Sequence, residues 1–223
     1  MLEALNLHKT YNDATRSLHV LKGVNLKIKE GDFLTIVGPS GAGKSTLLHI
    51  LGGLDKPADG KVILDDEDIY LLNDRERANI RNQKIGFVFQ FYHLLSEFTA
   101  LENVILPALI KGDLASTKAF KEKGLTLLEK VGLKERANHK PNQLSGGEQQ
   151  RVAIARSLVN NPKIIFCDEP TGNLDSESGK EVINLLAQLN RENRQTLVIV
   201  THDEFIAKLS HKVVHIRDGQ LQD

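Results

Sequence analysis

The stretch FLTIVGPSGAGKSTLLHIL, residues 33–51, decides how the rest of the chain is read. The mostly apolar run 33–37 suits a buried strand, and STLLHILGGL, 45–54, has a helical pattern. Between them Gly38, Pro39, Ser40, Gly41, Ala42, Gly43, Lys44 and Ser45, followed by Thr46, match G-x-x-x-x-G-K-[ST] in the strand–loop–helix setting that pattern needs. Glycines allow backbone N–H groups to turn inward around a phosphate where a Cβ would collide. Lys44 can reach β/γ oxygens, Ser45 can ligate Mg²⁺, and the helix adds its positive end.

Working outward, IGFVF (85–89), KIIFC (163–167) and TLVIV (196–200) are further short apolar runs. The last two are apolar on both alternating faces, as in strands covered on each side by helices. Helical patterns follow them at SGKEVINLLAQLN (178–190) and DEFIAKLS (203–210). The repetition predicts an open, mostly parallel α/β sheet with ligands beyond the carboxyl ends of its strands. Residues 1–32 alternate weakly around the turn signals YNDATRS and KEGD and read as an antiparallel edge. Residues 91–153 have helical periodicity and no strand pattern, so they read as a helical lobe inserted into the core.

At 223 residues the chain can bury a core without disulfides or metals. Lys+Arg and Asp+Glu tie at 29 each, so no basic field argues for nucleic acid. Cys167 has no second cysteine to pair with and suits a reducing cytosol. The first residues carry Glu3 and no long apolar run, unlike a secretory signal. No apolar run reaches the roughly 18 residues of a membrane span; action on a membrane would need other subunits.

The loops after the strands carry the remaining chemistry. KIIFC runs into Asp168 and Glu169. Asp168 would face the Mg²⁺ region, directly or through water, and Glu169 could orient and deprotonate a water in line with the γ-phosphorus. His202 could donate to the γ-phosphate or hold that water, although a single histidine at a strand end is usually structural. Gln90, after IGFVF, could touch the metal's water shell.

LSGGEQQRVAIARSL, 144–158, begins a helix with Ser145 and Glu148 spaced as a capping box. A simple cap does not need Gly146 and Gly147, which cost helix stability. Bare amides at a positive helix end suit a γ-phosphate. With one phosphate loop already present, this second grip is expected to serve a nucleotide held by a second copy of the chain.

LSGGEQQR resembles the signature of the ATP-binding cassette (ABC) ATPases, and the other motifs of that family follow in order. GPSGAGKST is similar to the Walker A loop, Gln90 to the Q-loop, IIFCDE to Walker B, GNLD (172–175, ending in Asp175) to the D-loop, and His202 to the switch histidine. Tyr11 falls where the family has an aromatic that stacks on adenine. The resemblance covers essentially the whole chain. It implies an α/β P-loop NTPase fold with a mostly parallel core sheet, an N-terminal antiparallel β subdomain and an inserted α-helical subdomain. Residues 1–223 then form one cassette, with 1–90 and 154–223 as nucleotide-binding core and 91–153 as helical subdomain. It also implies ATP with Mg²⁺, sandwiched twice in a head-to-tail homodimer.

A finer resemblance is to ATPases of the lipoprotein-releasing (Lol) type, carried by RNQKIGFVFQFYHLL, FTALENV, VGLKERANHKPNQLSGGEQQRVAIARSLVNNP and DEPTGNLDS. Ser96, where a proline is usual, and Cys167 depart from that type. The resemblance implies transmembrane permease partners, no contact with the transported lipoprotein, no nucleic acid, and a peripheral place on the cytoplasmic face of a bacterial inner membrane. Macrolide-exporter and cell-division ATPases of the same group are the alternative. FYHLLSEFTALENVILPALI, 91–110, is apolar enough to be either core or a groove for a partner helix.

Overall fold

The computed structural model describes residues 1–12, 17–111 and 117–222, leaving aside the side chains of Lys111 and Glu204. Part of the YNDATRS turn therefore lies outside the described residues. The chain divides into two compact units, Met1–Arg81 with Asn190–Asp223, and Asn82–Leu189.

The first unit holds two sheets. Strands β1 (Leu2–Asn12), β2 (Ser17–Ile28), β4 (Asp59–Leu64) and β5 (Glu67–Asp68) form an antiparallel sheet in the order β2-β1-β4-β5. This is the expected antiparallel edge, enlarged by a hairpin that residues 59–68 supply. In the second sheet β3 (Phe33–Val37) lies between β8 (Thr196–Thr201) and β9 (Lys212–Arg217), parallel to both, and β10 (Gln220–Gln222) closes antiparallel on β9. Every residue of β8 is buried, as its continuous apolar run requires. Helix α1 (Lys44–Leu51) follows β3 and buries Leu47, Leu48, Ile50 and Leu51 completely. Helix α7 (Glu204–Leu209) follows β8, capped by Asp203, whose carboxylate accepts from the Phe205 N–H at 2.8 Å.

The chain leaves this unit within α2 (Asp74–Lys84) and returns within α6 (Ser176–Asn193). The second unit pairs β6 (Ile85–Phe89) with β7 (Ile164–Asp168) in parallel, Phe89 opposite Asp168. Helices α3 (Ala100–Lys111), α4 (Thr117–Lys130) and α5 (Gly146–Leu158) account for most of its remaining structure. Their core is Val104, Ile105, Leu128, Val152, Ala153 and Ile154. Cys167 is fully buried in β7, and burial pushes its thiol far above the usual range. Among the described residues no helix is long and apolar enough to cross a membrane.

Asn103, fully buried on α3, holds the loop before that helix. Its amide donates to the carbonyls of Leu95, Phe98 and Thr99 at 3.0–3.1 Å and accepts from the Leu95 N–H at 2.8 Å. Phe91 and Leu95 stay exposed at 66% and 44%, whereas Val104, Ile105 and Ala108 are core. The apolar stretch 91–110 is thus split between packing and surface.

Candidate functional site

The first unit carries the phosphate loop, bent sharply where it meets its neighbours. Gly43 has φ of +100° and lies against the Val20 carbonyl of β2, where an added Cβ would approach to 3.1 Å. At Gly38 a Cβ would sit 2.2 Å from the Ile216 carbonyl of β9. Both positions exclude any side chain for reasons of geometry. Gly43 is also the N-cap of α1, and no side chain caps that helix. Its first turn includes Ser45 and Thr46, and Pro39, Ser40, Gly41 and Ala42 complete the loop before it.

Lys44 is 8% exposed, and its ammonium donates to the carbonyls of Gly38 at 2.8 Å and Pro39 at 3.0 Å. No carboxylate among the described residues pairs with it. A nearly buried cation balanced only by carbonyl dipoles, beside an uncapped helix start, suits an anion such as a phosphate.

Tyr11, at the end of β1, is 44% exposed and held from behind. Its hydroxyl donates to Asp55 at 2.6 Å, and the Lys9 ammonium lies 4.6 Å from its ring centroid. Lys9 also donates to Asp55 at 2.6 Å and to the Lys56 carbonyl at 2.7 Å. Burial opposes ionisation of Asp55, but the hydrogen bonds from Lys9 and Tyr11 outweigh it and hold the carboxyl below its usual range. His202 stands exposed at the end of β8 in the same unit.

The second unit carries the other candidates. Asp168 is the last residue of β7. Glu169 follows with φ of 44°, the left-handed region a glutamate rarely adopts, and the chain then turns so that the Gly172 N–H donates to the Glu169 carbonyl at 3.0 Å. Gln90 and Asn173 bond reciprocally: the Gln90 amide donates to the Asn173 side chain at 3.0 Å, and the Asn173 amide to the Gln90 carbonyl at 3.1 Å. Asp175 accepts from the N–H groups of Glu177 and Ser178 at the start of α6. Those bonds, that of Ser178 first, lower its carboxyl's pKa.

At α5 the capping box is formed as expected. Ser145 Oγ accepts from the Glu148 N–H at 3.2 Å, and Glu148 accepts from the Ser145 N–H at 2.8 Å. Helix geometry leaves the amides of Gly146 and Gly147 outside the helical ladder. The glycines also have a packing reason absent from the sequence argument. A Cβ on Gly146 would come within 2.9 Å of the Tyr92 hydroxyl, and one on Gly147 within 3.0 Å of Ser178 Cβ.

Asp55, Asn103 and Gln150 were not singled out in the sequence. Gln150 left one readable trace, a polar residue three and four positions before Ala153 and Ile154 and hence on the apolar face of its helix.

Comparison with known proteins meets this arrangement. A family model described as ABC transporter matches residues 21–172. The chain belongs to the ABC transporter family. Similar relatives of this cassette include the lipoprotein-releasing system ATP-binding protein LolD of Legionella pneumophila. It is 52% identical over 221 residues, 99% of this chain and 96% of the relative. The protein of the same name from Bdellovibrio bacteriovorus is 51% identical over 99% of this chain and 100% of its own length. MJ0796 of Methanocaldococcus jannaschii, called an uncharacterized ABC transporter ATP-binding protein, is 50% identical over 100% of this chain and 95% of its own. A dimeric structure of MJ0796 in a post-hydrolysis state, bound to ADP and Pi, matches the cassette with a TM-score of 0.92, covering 100% of this chain and 97% of that one. The α/β P-loop fold with its mostly parallel core strands is therefore the ABC ATPase fold.

Proposed function

We propose that this cassette hydrolyses ATP at two composite sites in a head-to-tail homodimer and so drives a membrane transporter of the lipoprotein-releasing kind. One observation carries the reading. The chain has two helix starts suited to a phosphate, the uncapped α1 beside Lys44 and the glycine-led α5. One nucleotide needs both only if two copies share it.

In this reading Tyr11 stacks on adenine, the loop Gly38–Thr46 cradles the phosphates, and Lys44 neutralises their β/γ oxygens. The Ser45 hydroxyl, the Gln90 amide oxygen and the Asp168 carboxylate are hard oxygen donors that fit Mg²⁺. The ion supplies charge neutralisation at the phosphate oxygens. Glu169 accepts the proton of the attacking water, and His202 donates to the γ-phosphate. Ser145, Gly146 and Gly147 of the second copy close the site, with Asp175 alongside. We assign 1–90 and 154–223 to the nucleotide-binding core and 91–153 to a helical subdomain whose exposed Phe91, Leu95 and Phe98 receive a permease helix. The protein then works at the cytoplasmic face of the inner membrane without touching its cargo.

The near-full-length likeness to proteins named for lipoprotein release supports that cargo. The comparable likeness to MJ0796 carries no cargo, and a second reading, in which the permease is a macrolide-type exporter or a cell-division regulator, rests on the sequence resemblance to that wider group.

The test is Glu169→Gln. It is expected to bind ATP, to hydrolyse it about 10²–10⁴-fold more slowly, and to accumulate as an ATP-dependent dimer in size-exclusion light scattering. Unchanged turnover would remove Glu169 from the base role. Purified with ATP from detergent-solubilised membranes, this variant should bring permease proteins with it. Recovery of the cassette alone would sink the transporter reading.

A further inference from the structure

Gln150 lies one turn inside α5 and is fully buried. Its amide nitrogen donates to the Phe89 carbonyl at 3.2 Å and to the Pro170 carbonyl at 2.6 Å. Its oxygen accepts from nothing among the described residues. Both carbonyls stand at the thresholds of functional loops, since Phe89 precedes Gln90 and Pro170 follows Glu169. One side chain thus ties the helix that begins at Ser145 to the loop of the candidate base and to the glutamine loop. Asn173 adds a further link, binding Gln90 to the turn beyond Glu169.

A buried amide retained only for packing would normally bond at both ends, because an orphaned acceptor in a low-dielectric interior is costly. Here both donor bonds are committed and the acceptor is not. The group works as a donor clamp between three segments. In the proposed dimer those segments belong to different sites. Glu169 and Gln90 serve the nucleotide on their own chain, whereas Ser145–Gly147 serve the nucleotide on the other.

We infer that Gln150 is a positioning residue that couples the two composite ATP sites of the dimer, so that occupancy of one sets the rate at the other. The inference rests on the composite-site reading above. A shift of the Glu169 loop pulls on the Pro170 carbonyl, the clamp passes the pull to α5, and the first turn of α5 moves at the second nucleotide.

The test uses mixed dimers separated by two affinity tags. In the first, one protomer carries Ser145→Arg and its partner is unmodified. The Ser145→Arg protomer's own loops then form the one working site with its partner's signature, and the partner's loop still binds ATP. In the second, the partner also carries Lys44→Ala, so its nucleotide position stays empty. The ratio of the two turnover rates measures how far occupancy of the idle site sets the working one, and about tenfold is expected. Gln150→Met in either protomer should bring the ratio near one. A purely structural role would lower both rates and leave the ratio unchanged, and that result overturns the inference. A ratio already near one in the parent pair overturns it too. If Gln150→Met does not fold, Gln150→Asn keeps the donor with a shorter reach and should lower the ratio part-way; an unchanged ratio again refutes the coupling. Should the Ser145→Arg homodimer hydrolyse ATP at the unmodified rate, the composite-site reading itself fails, which is a separate and recognisable outcome.

Discussion

Tyr11 is held from two directions, by its hydrogen bond to Asp55 and by the Lys9 ammonium against its ring. A ring fixed in this way loses little freedom when a base stacks on it. Tyr11→Phe keeps the ring and removes one hydrogen bond, so KM for ATP is expected to rise roughly two- to tenfold with kcat unchanged. Tyr11→Ala also removes the stacking face and should cost about 1–3 kcal/mol of nucleotide affinity, measurable by titration calorimetry. Equal affinities in the two variants would refute stacking. Tyr11 was legible in the sequence only through the family resemblance. Asp55 and Lys9 were not, because they lie 46 residues apart and nothing local announces that they meet. Glu169 was legible from its place at a strand end, but its left-handed backbone was not. That conformation follows from the turn that brings the Gly172 N–H back to its carbonyl.

At the scale of elements, α5 shows how a local motif becomes a pH-dependent support. The Ser145 N–H, donated to Glu148, is the main cause that holds this carboxyl below its usual value of 4.5. The unfolded chain therefore takes up the proton first as pH falls. The stabilisation is fully present above 4.5 and is lost as pH drops through the lower folded value. Glu148→Ala is expected to cost about 1 kcal/mol at pH 7. The gap to the unmodified chain should shrink below pH 4.5 in urea melts followed by circular dichroism, and a gap independent of pH would contradict this. The elements legible in the sequence were those with a buried face. Strands at 33–37, 85–89, 164–168 and 196–201 each follow a continuous apolar run. Helix α2 escaped because none of its residues is buried, which leaves no apolar period to detect. Strands β4 and β9 escaped because their apolar runs are only two or three residues long beside charged neighbours, and β9 buries only Ile216.

For the whole molecule, the two phosphate grips proposed for each chain make a prediction about mixtures. Lys44→Ala and Ser145→Arg proteins should each be inactive alone. Mixed in equal amounts they should recover activity, since half of the dimers then combine the two proteins and each of these keeps one intact site. Independent sites give about a quarter of the unmodified ATPase rate, and coupling to the empty partner position shifts that value about tenfold. Full activity in the mixture, or unmodified activity of the Ser145→Arg protein alone, would argue for a self-contained monomer. The proposed division of labour between chains starts from the sequence, where a glycine-led helix start stands beside a complete phosphate loop; the packing of Gly146 against Tyr92 and of Gly147 against Ser178 was not legible there. The clamp at Gln150 was not, because it depends on two carbonyls far away along the chain. The lone thiol of Cys167, sealed inside β7, has a practical side. Only a thiolate attacks a maleimide, so the folded protein should resist alkylation at neutral pH, and the rate of labelling in mild urea would report how often β7 opens. The same silence leaves a clean background on which one introduced surface cysteine can carry a fluorophore or spin probe.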